Sequence, residues 1–179
     1  MRKMGLWLGM LLLCLALAST GALAQSAHGG MGSHGVHAVS PTDSFVPAED
    51  PAYPVGTQVR IETDHMEGML GALGTVSGAF QTVIYAIDYT DVETGESVLN
   101  HKWVIHEELQ GDREAPYAVG DTVILKAGHI SSMGGEGAEA TIVEVIKGVA
   151  YMVDYMPTDG GEEVVDHQWV VESELRPAA

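Results

Sequence analysis

Two loops of this chain pair a histidine with a methionine four positions later, His65 with Met69 and His129 with Met133. The first is the richer, Asp64-His65-Met66-Glu67-Gly68-Met69. The second, Gly128-His129-Ile130-Ser131-Ser132-Met133, has no counterpart of Asp64 or Met66. Thioether sulfur is a soft donor that suits Cu(I), and imidazole serves both copper states. His65, Met66, Met69, His129 and Met133 are therefore candidate copper ligands, ahead of zinc, with copy one the better binder. Gly68 and Gly71 allow the first loop to fold back so that its donors converge. The plainer alternative makes Met69 and Met133 gap-fillers of a core, with His65 and His129 bonded to backbone carbonyls. A second donor group, His28, Met31, His34 and His37, lies in a Gly/Ser-rich stretch, and such short tracts bind metal without a fold.

A third constellation is Asn100-His101-Lys102-Trp103, matched by Asp166-His167-Gln168-Trp169. In a strand, residues two apart share a face, so each histidine lies beside its tryptophan. Trp103 and Trp169 read as core. His101 and His167 are then either buried partners of a backbone carbonyl, the favoured reading, or rim residues that, with Asp64, support the His/Met loop from behind its ligands. Tyr85, Tyr89, Tyr151 and Tyr155 also alternate on one face. They are either barrel wall, the favoured reading, or a groove for an extended peptide or envelope polymer. No nucleophile elbow, His-Glu-x-x-His helix or phosphate loop is present, and the chain reads as a non-enzyme.

The elements that must position these residues are written twice. Tyr53–Leu109 and Tyr117–Leu175 are copies: Tyr53, Gly56, His65 and Met69 match Tyr117, Gly120, His129 and Met133 at an offset of 64 (117 − 53). After a two-residue insertion, Tyr85, Asp88, His101 and Trp103 match Tyr151, Asp154, His167 and Trp169 at 66 (151 − 85). Each copy predicts a first strand at Val59/Ile61 or Val123/Leu125 and a second at Thr75-Val76 or Thr141–Val143. The strongest β segment is Val83–Tyr89 or Val149–Tyr155, and the fourth strand starts at Trp103 or Trp169. Glu107-Glu108-Leu109 and Glu172–Leu175 suit a 3₁₀ turn and a short pairing strand, with the adjacent carboxylates read as solvated charge. Strands this short, without a helical period, predict an all-β protein of two tandem small SH3-like (KOW-type) partly open β-barrels at 53–109 and 117–175, joined by a linker at 110–116.

Residues 1–24 read as an export signal: Arg2 and Lys3, an apolar run from Gly5 to Ala18, and Ala22-Leu23-Ala24 for cleavage. Residues 25–50 read as a flexible His/Met-containing tail. The single cysteine, Cys14, follows Leu12 and Leu13, so no lipoprotein is expected, and cleavage leaves no cysteine and no membrane span. The protein is thus expected in the periplasm or secreted. The chain holds 8 basic and 25 acidic residues; loss of Arg2 and Lys3 leaves a net charge of −19 (6 − 25). That surface repels phosphate backbones, which excludes nucleic acid as a partner, and attracts metal cations diffusely.

The runs DHMEGMLGALGTV, TVIYAIDY and NHKWVIHEEL resemble the YdhK-like family of exported bacterial proteins, a tandem-repeat domain of unknown function, across nearly all of Tyr53–Leu175. The resemblance implies a secreted or lipid-anchored protein with a His/Met-rich tail and an association with copper resistance, without a known activity. The missing lipid-attachment cysteine and the His-Ile-Ser-Ser-Met of copy two depart from the family pattern. Together these features predict an extracytoplasmic copper buffer or delivery protein. The alternative is an interaction module for an envelope protein or cell-wall polymer, working through the tyrosine face.

Overall fold

The computed structural model describes residues 44–126, 133 and 137–179. The signal segment, the tail donors His28, Met31, His34 and His37, and His129 lie outside the described residues. Seven strands form one antiparallel sheet: β1 Gln58–Ile61, β2 Leu73–Thr90, β3 Ser97–Ile105, β4 Thr122–Ile124, β5 Glu139–Tyr155, β6 Val164–Val171 and β7 Leu175–Pro177. Short 3₁₀ turns at His106–Glu108 and Glu172–Glu174 follow β3 and β6, as the Glu-Glu-Leu endings suggest. Among the described residues there is no α-helix, and the all-β expectation stands.

The predicted second and third strands of each copy are continuous. Thr75-Val76 runs on through Gly78 into Val83–Tyr89 as the 18-residue β2, and Thr141–Val143 runs on into Val149–Tyr155 as the 17-residue β5. What makes them continuous is that they pair with each other, from Gly74↔Tyr155 to Tyr89↔Ala140, with register shifts after Val76 and Ala86. The ladder runs along the whole edge and skips only Ser77 and Val143 at the register shifts, so the glycines do not end the strand.

Thr82 pairs with Gly148, and these are equivalent positions of the two copies (148 − 82 = 66). A local two-fold axis passes between them, and the contact across it is isologous, as in a symmetric dimer. The same symmetry links the ends. β1 of copy one pairs with β7 of copy two (Ile61↔Leu175), and Leu109 of copy one bridges Leu125 of copy two.

The core follows this exchange. One cluster joins Val59, Ile61, Met69 and Val76 to Tyr151, Val153, Tyr155 and Leu175. Its mate joins Tyr85, Ile87, Tyr89 and Leu109 to Tyr117, Leu125, Met133 and Ile142. A third, on the axis, joins Ile84, Trp103 and Ile105 to Ala150, Trp169 and Val171. The two tandem domains seen in the sequence therefore exchange halves: each outer core is filled by the first part of one copy and the last part of the other.

Candidate functional site

The His65 loop leaves β1 at Ile61 and returns to β2 at Leu73. It is closed by Gly71 N–H donating to Ile61 O (2.8 Å) and Met69 N–H donating to Met66 O (3.1 Å). Gly68 and Gly71 take positive φ values of 77° and 78°, which L side chains rarely adopt. At Gly68 a side chain would also collide: a Cβ would stand 2.8 Å from the Asp159 carboxylate and 2.9 Å from Pro157. That close approach docks the loop on copy two, where Thr158 N–H and its hydroxyl both donate to Gly68 O.

His65 is held by a carboxylate of copy two. Its Nε2 lies 2.9 Å from Glu174 Oε1, and both side chains are about nine-tenths buried (10% and 12% exposed). Glu174 Oε2 accepts from Trp103 Nε1–H at 2.9 Å and from Val171 N–H at 3.0 Å. Burial disfavours this anion, yet the His65 hydrogen bond and charge, the Trp103 N–H and the Val171 N–H outweigh it and hold Glu174 below its ordinary pKa. An ionised carboxylate only accepts, so Nε2 donates to it, and in the neutral form of the imidazole the lone pair lies on Nδ1. Nδ1 is buried and has no hydrogen-bond partner.

The imidazole of His167, also buried, stands next to it, with ring centroids 6.4 Å apart. His167 is placed by a backbone device. Asp166 sits in the left-handed region (φ 51°), and its N–H is taken by Asp154 Oδ1 at 2.7 Å. Asn100 before His101 repeats this arrangement, with φ 53° and a 2.7 Å bond to Asp88. Tyr155 packs its ring 5.9 Å from that of His167 and points its hydroxyl at Met66 Sδ, 3.9 Å away. A groove lined by Thr63, Asp64, His65, Asn100, His101 and Lys102 opens this loop to solvent.

Several expected roles change. Met69 and Met133 are fully buried in the two outer apolar cores, the place of a gap-filling thioether. Asp64 is exposed on the groove; the carboxylate that orients His65 is Glu174. His167 moves from support to immediate neighbour of His65, while His101 packs its ring against Tyr89, 5.7 Å away. Tyr85, Tyr89, Tyr151 and Tyr155 are all buried (0–5% exposed), so they form no groove for a peptide or polymer. Glu108, expected as solvated charge, is 3% exposed and accepts from Trp169 Nε1–H and Ile105 N–H. Glu108 and Glu174 were missed as site residues. Their signal was repetition: the same glutamate recurs three residues after Ile105 and after Val171, at the offset of 66.

Comparison with known proteins agrees with the repeat and the fold. A family described as protein of unknown function (DUF1541) matches residues 55–106 and 119–172, one match per copy. YdhK of Bacillus subtilis (strain 168), described as uncharacterized, is 46% identical over 128 residues, 72% of this chain and 62% of that protein. The chain thus spans somewhat under two thirds of that relative. A crystal structure of YdhK, described as a DUF1541 family protein, superposes with a TM-score of 0.71 at 42% identity, covering 82% of this chain and 95% of the other. A solution structure of the YdhK C-terminal domain gives 0.64 at 46% identity, covering 70% and 93%.

Proposed function

Given that the chain belongs to the DUF1541 family, we propose that it is an extracytoplasmic copper-binding protein that buffers or delivers the ion. One observation carries this: His65 is clamped through Nε2 by a buried carboxylate and keeps an unpartnered, buried Nδ1. A carboxylate–histidine pair of this form orients metal-ligating imidazoles and raises their basicity. The loop adds the Met66 thioether, and exported chains of this composition offer no thiolate, so the soft donors left are thioethers and imidazoles. The tail residues His28, Met31, His34 and His37 serve as a capture segment ahead of the folded site.

The test is an anaerobic Cu(I) titration of the purified protein against a chromogenic chelator. It compares His65→Gln with a variant carrying alanine at His28, Met31, His34 and His37. Loss of the tight fraction in His65→Gln supports the reading. Loss only in the tail variant would reduce the protein to a capture tail on an inert fold. The interaction-module alternative has no exposed tyrosine face to act through.

A further inference from the structure

Resting on the copper reading, we infer that the ion is held between the two copies: His65 Nδ1 from copy one and the imidazole of His167 from copy two are its first two donors, with the Met66 sulfur as the third. The exchange of halves brings the His65 ring of copy one beside the His167 ring of copy two.

The ring separation decides the coordination. A metal–nitrogen bond of about 2.0 Å plus the distance from nitrogen to ring centre puts two imidazoles about 6.3 Å apart when they bracket an ion in a line, and about 5.1 Å at a tetrahedral angle. The observed centroid separation of 6.4 Å matches the near-linear value. Near-linear two-nitrogen coordination suits Cu(I), a d¹⁰ ion content with two or three donors, and not Zn²⁺, which fills a tetrahedral set. Met66 stands ready as the third donor. It is only partly buried, its sulfur is in weak contact with the Tyr155 hydroxyl, and a thioether chain turns easily. Tyr155 packs against His167 and reaches the Met66 sulfur with its hydroxyl, so one side chain borders both donors. His65 is fixed by Glu174, and His167 is fixed by the Asp154–Asp166 bond at the residue just before it. Both donors are thus preorganised by carboxylates, while the third is free to move.

The experiment uses the protein with the four tail donors replaced by alanine, so that only the folded site reports. Cu(I) affinity is measured by competition for His65→Gln, His167→Gln and Met66→Leu, with melting curves to verify folding. Losing a residue that merely orients a ligand costs about 10–100-fold, so loss of either histidine is expected to weaken Cu(I) by ~100-fold or more, and Met66→Leu by less. Affinity kept within threefold in a folded His167→Gln, with His65→Gln impaired, overturns the shared site and leaves the copper reading standing. Unimpaired binding in His65→Gln overturns the reading itself. Should His167→Gln fail to fold, imidazole ¹⁵N shifts of the tail-replaced protein serve instead. Cu(I) must move the His65 and His167 resonances together, and a shift at His65 alone refutes the inference.

Discussion

Replacing Glu174 by glutamine removes no donor from the proposed ion and changes one atom of the clamp. The amide oxygen can keep the Trp103 and Val171 bonds, but the position of Oε1 becomes an NH₂ group facing His65 Nε2. Two donors cannot face each other, so the imidazole must move its proton to Nδ1, the nitrogen assigned to the metal. The ring would stay in place in the wrong tautomer. Bonds to an ionised acceptor contribute roughly 1.5–3 kcal/mol and neutral ones roughly 0.5–1.5, so three bonds weakened by about 1 kcal/mol give ~3 kcal/mol gross. Relief from burying a charge offsets part of this, leaving about 1–2 kcal/mol. With a urea m-value of about 2 kcal/mol/M, the midpoint falls by about 0.5–1 M, read by tryptophan fluorescence. Glu174→Ala strands three N–H donors and is expected to lose about 3–5 kcal/mol. Cu(I) affinity in Glu174→Gln should fall ~10–100-fold. Wild-type Cu(I) affinity in a folded Glu174→Gln would refute the tautomer argument. A midpoint unchanged in Glu174→Ala would refute the clamp.

Other consequences are equally direct. Met69→Ala should destabilise by about 2–5 kcal/mol through the cavity it leaves, with Cu(I) affinity unchanged if it still folds; a large affinity loss would restore Met69 as a ligand. Gly68→Ala meets both a positive φ and the Asp159 and Pro157 contacts, so a fall in melting temperature and loosening of the His65 loop in hydrogen exchange are expected. Glu174 is held below its ordinary value of 4.5. Its contribution to stability is therefore present above pH 4.5 and disappears as pH falls through the lower folded value. Urea midpoints of wild type and Glu174→Gln should converge on acidification, and parallel curves would show that Glu174 does not titrate there. Asn100→Gly and Asp166→Gly remove the side chain from a left-handed position and should be tolerated within about 1 kcal/mol, whereas Asp88→Ala and Asp154→Ala should each lose more, by denaturant midpoint.

The strands, the 3₁₀ turns after β3 and β6, and the tryptophan core were legible because alternation, turn residues and apolar content are local. Which copy supplies each strand's partner was not. β7 and Leu109 carry nearly the same sequence pattern, so β1 could be paired by either without altering a residue. Only the long β2–β5 pairing across Thr82 and Gly148 decides it. The tyrosine alternation left wall and groove both open for a related reason. β2 and β5 are central strands with both faces covered over much of their length, so alternation there separates two cores and not core from solvent. Glu108 and Glu174 look like surface charge in any window, since their partners Trp169 and Trp103 lie 61 and 71 residues away.

The exchange of halves also sets an order of events during synthesis. The cluster around Tyr85, Leu125 and Ile142 has all its named members once residue 142 has been added, whereas the cluster around Ile61 and Met69 waits for Leu175. β1, the first strand made, stays unpaired along one edge until β7, the last, emerges 114 residues later (175 − 61). Nearly the whole chain must therefore be present before the His65 loop closes, and contacts of such separation slow folding because loop closure precedes their reward. A truncation near the C-terminus would strike first at residues close to the beginning of the fold.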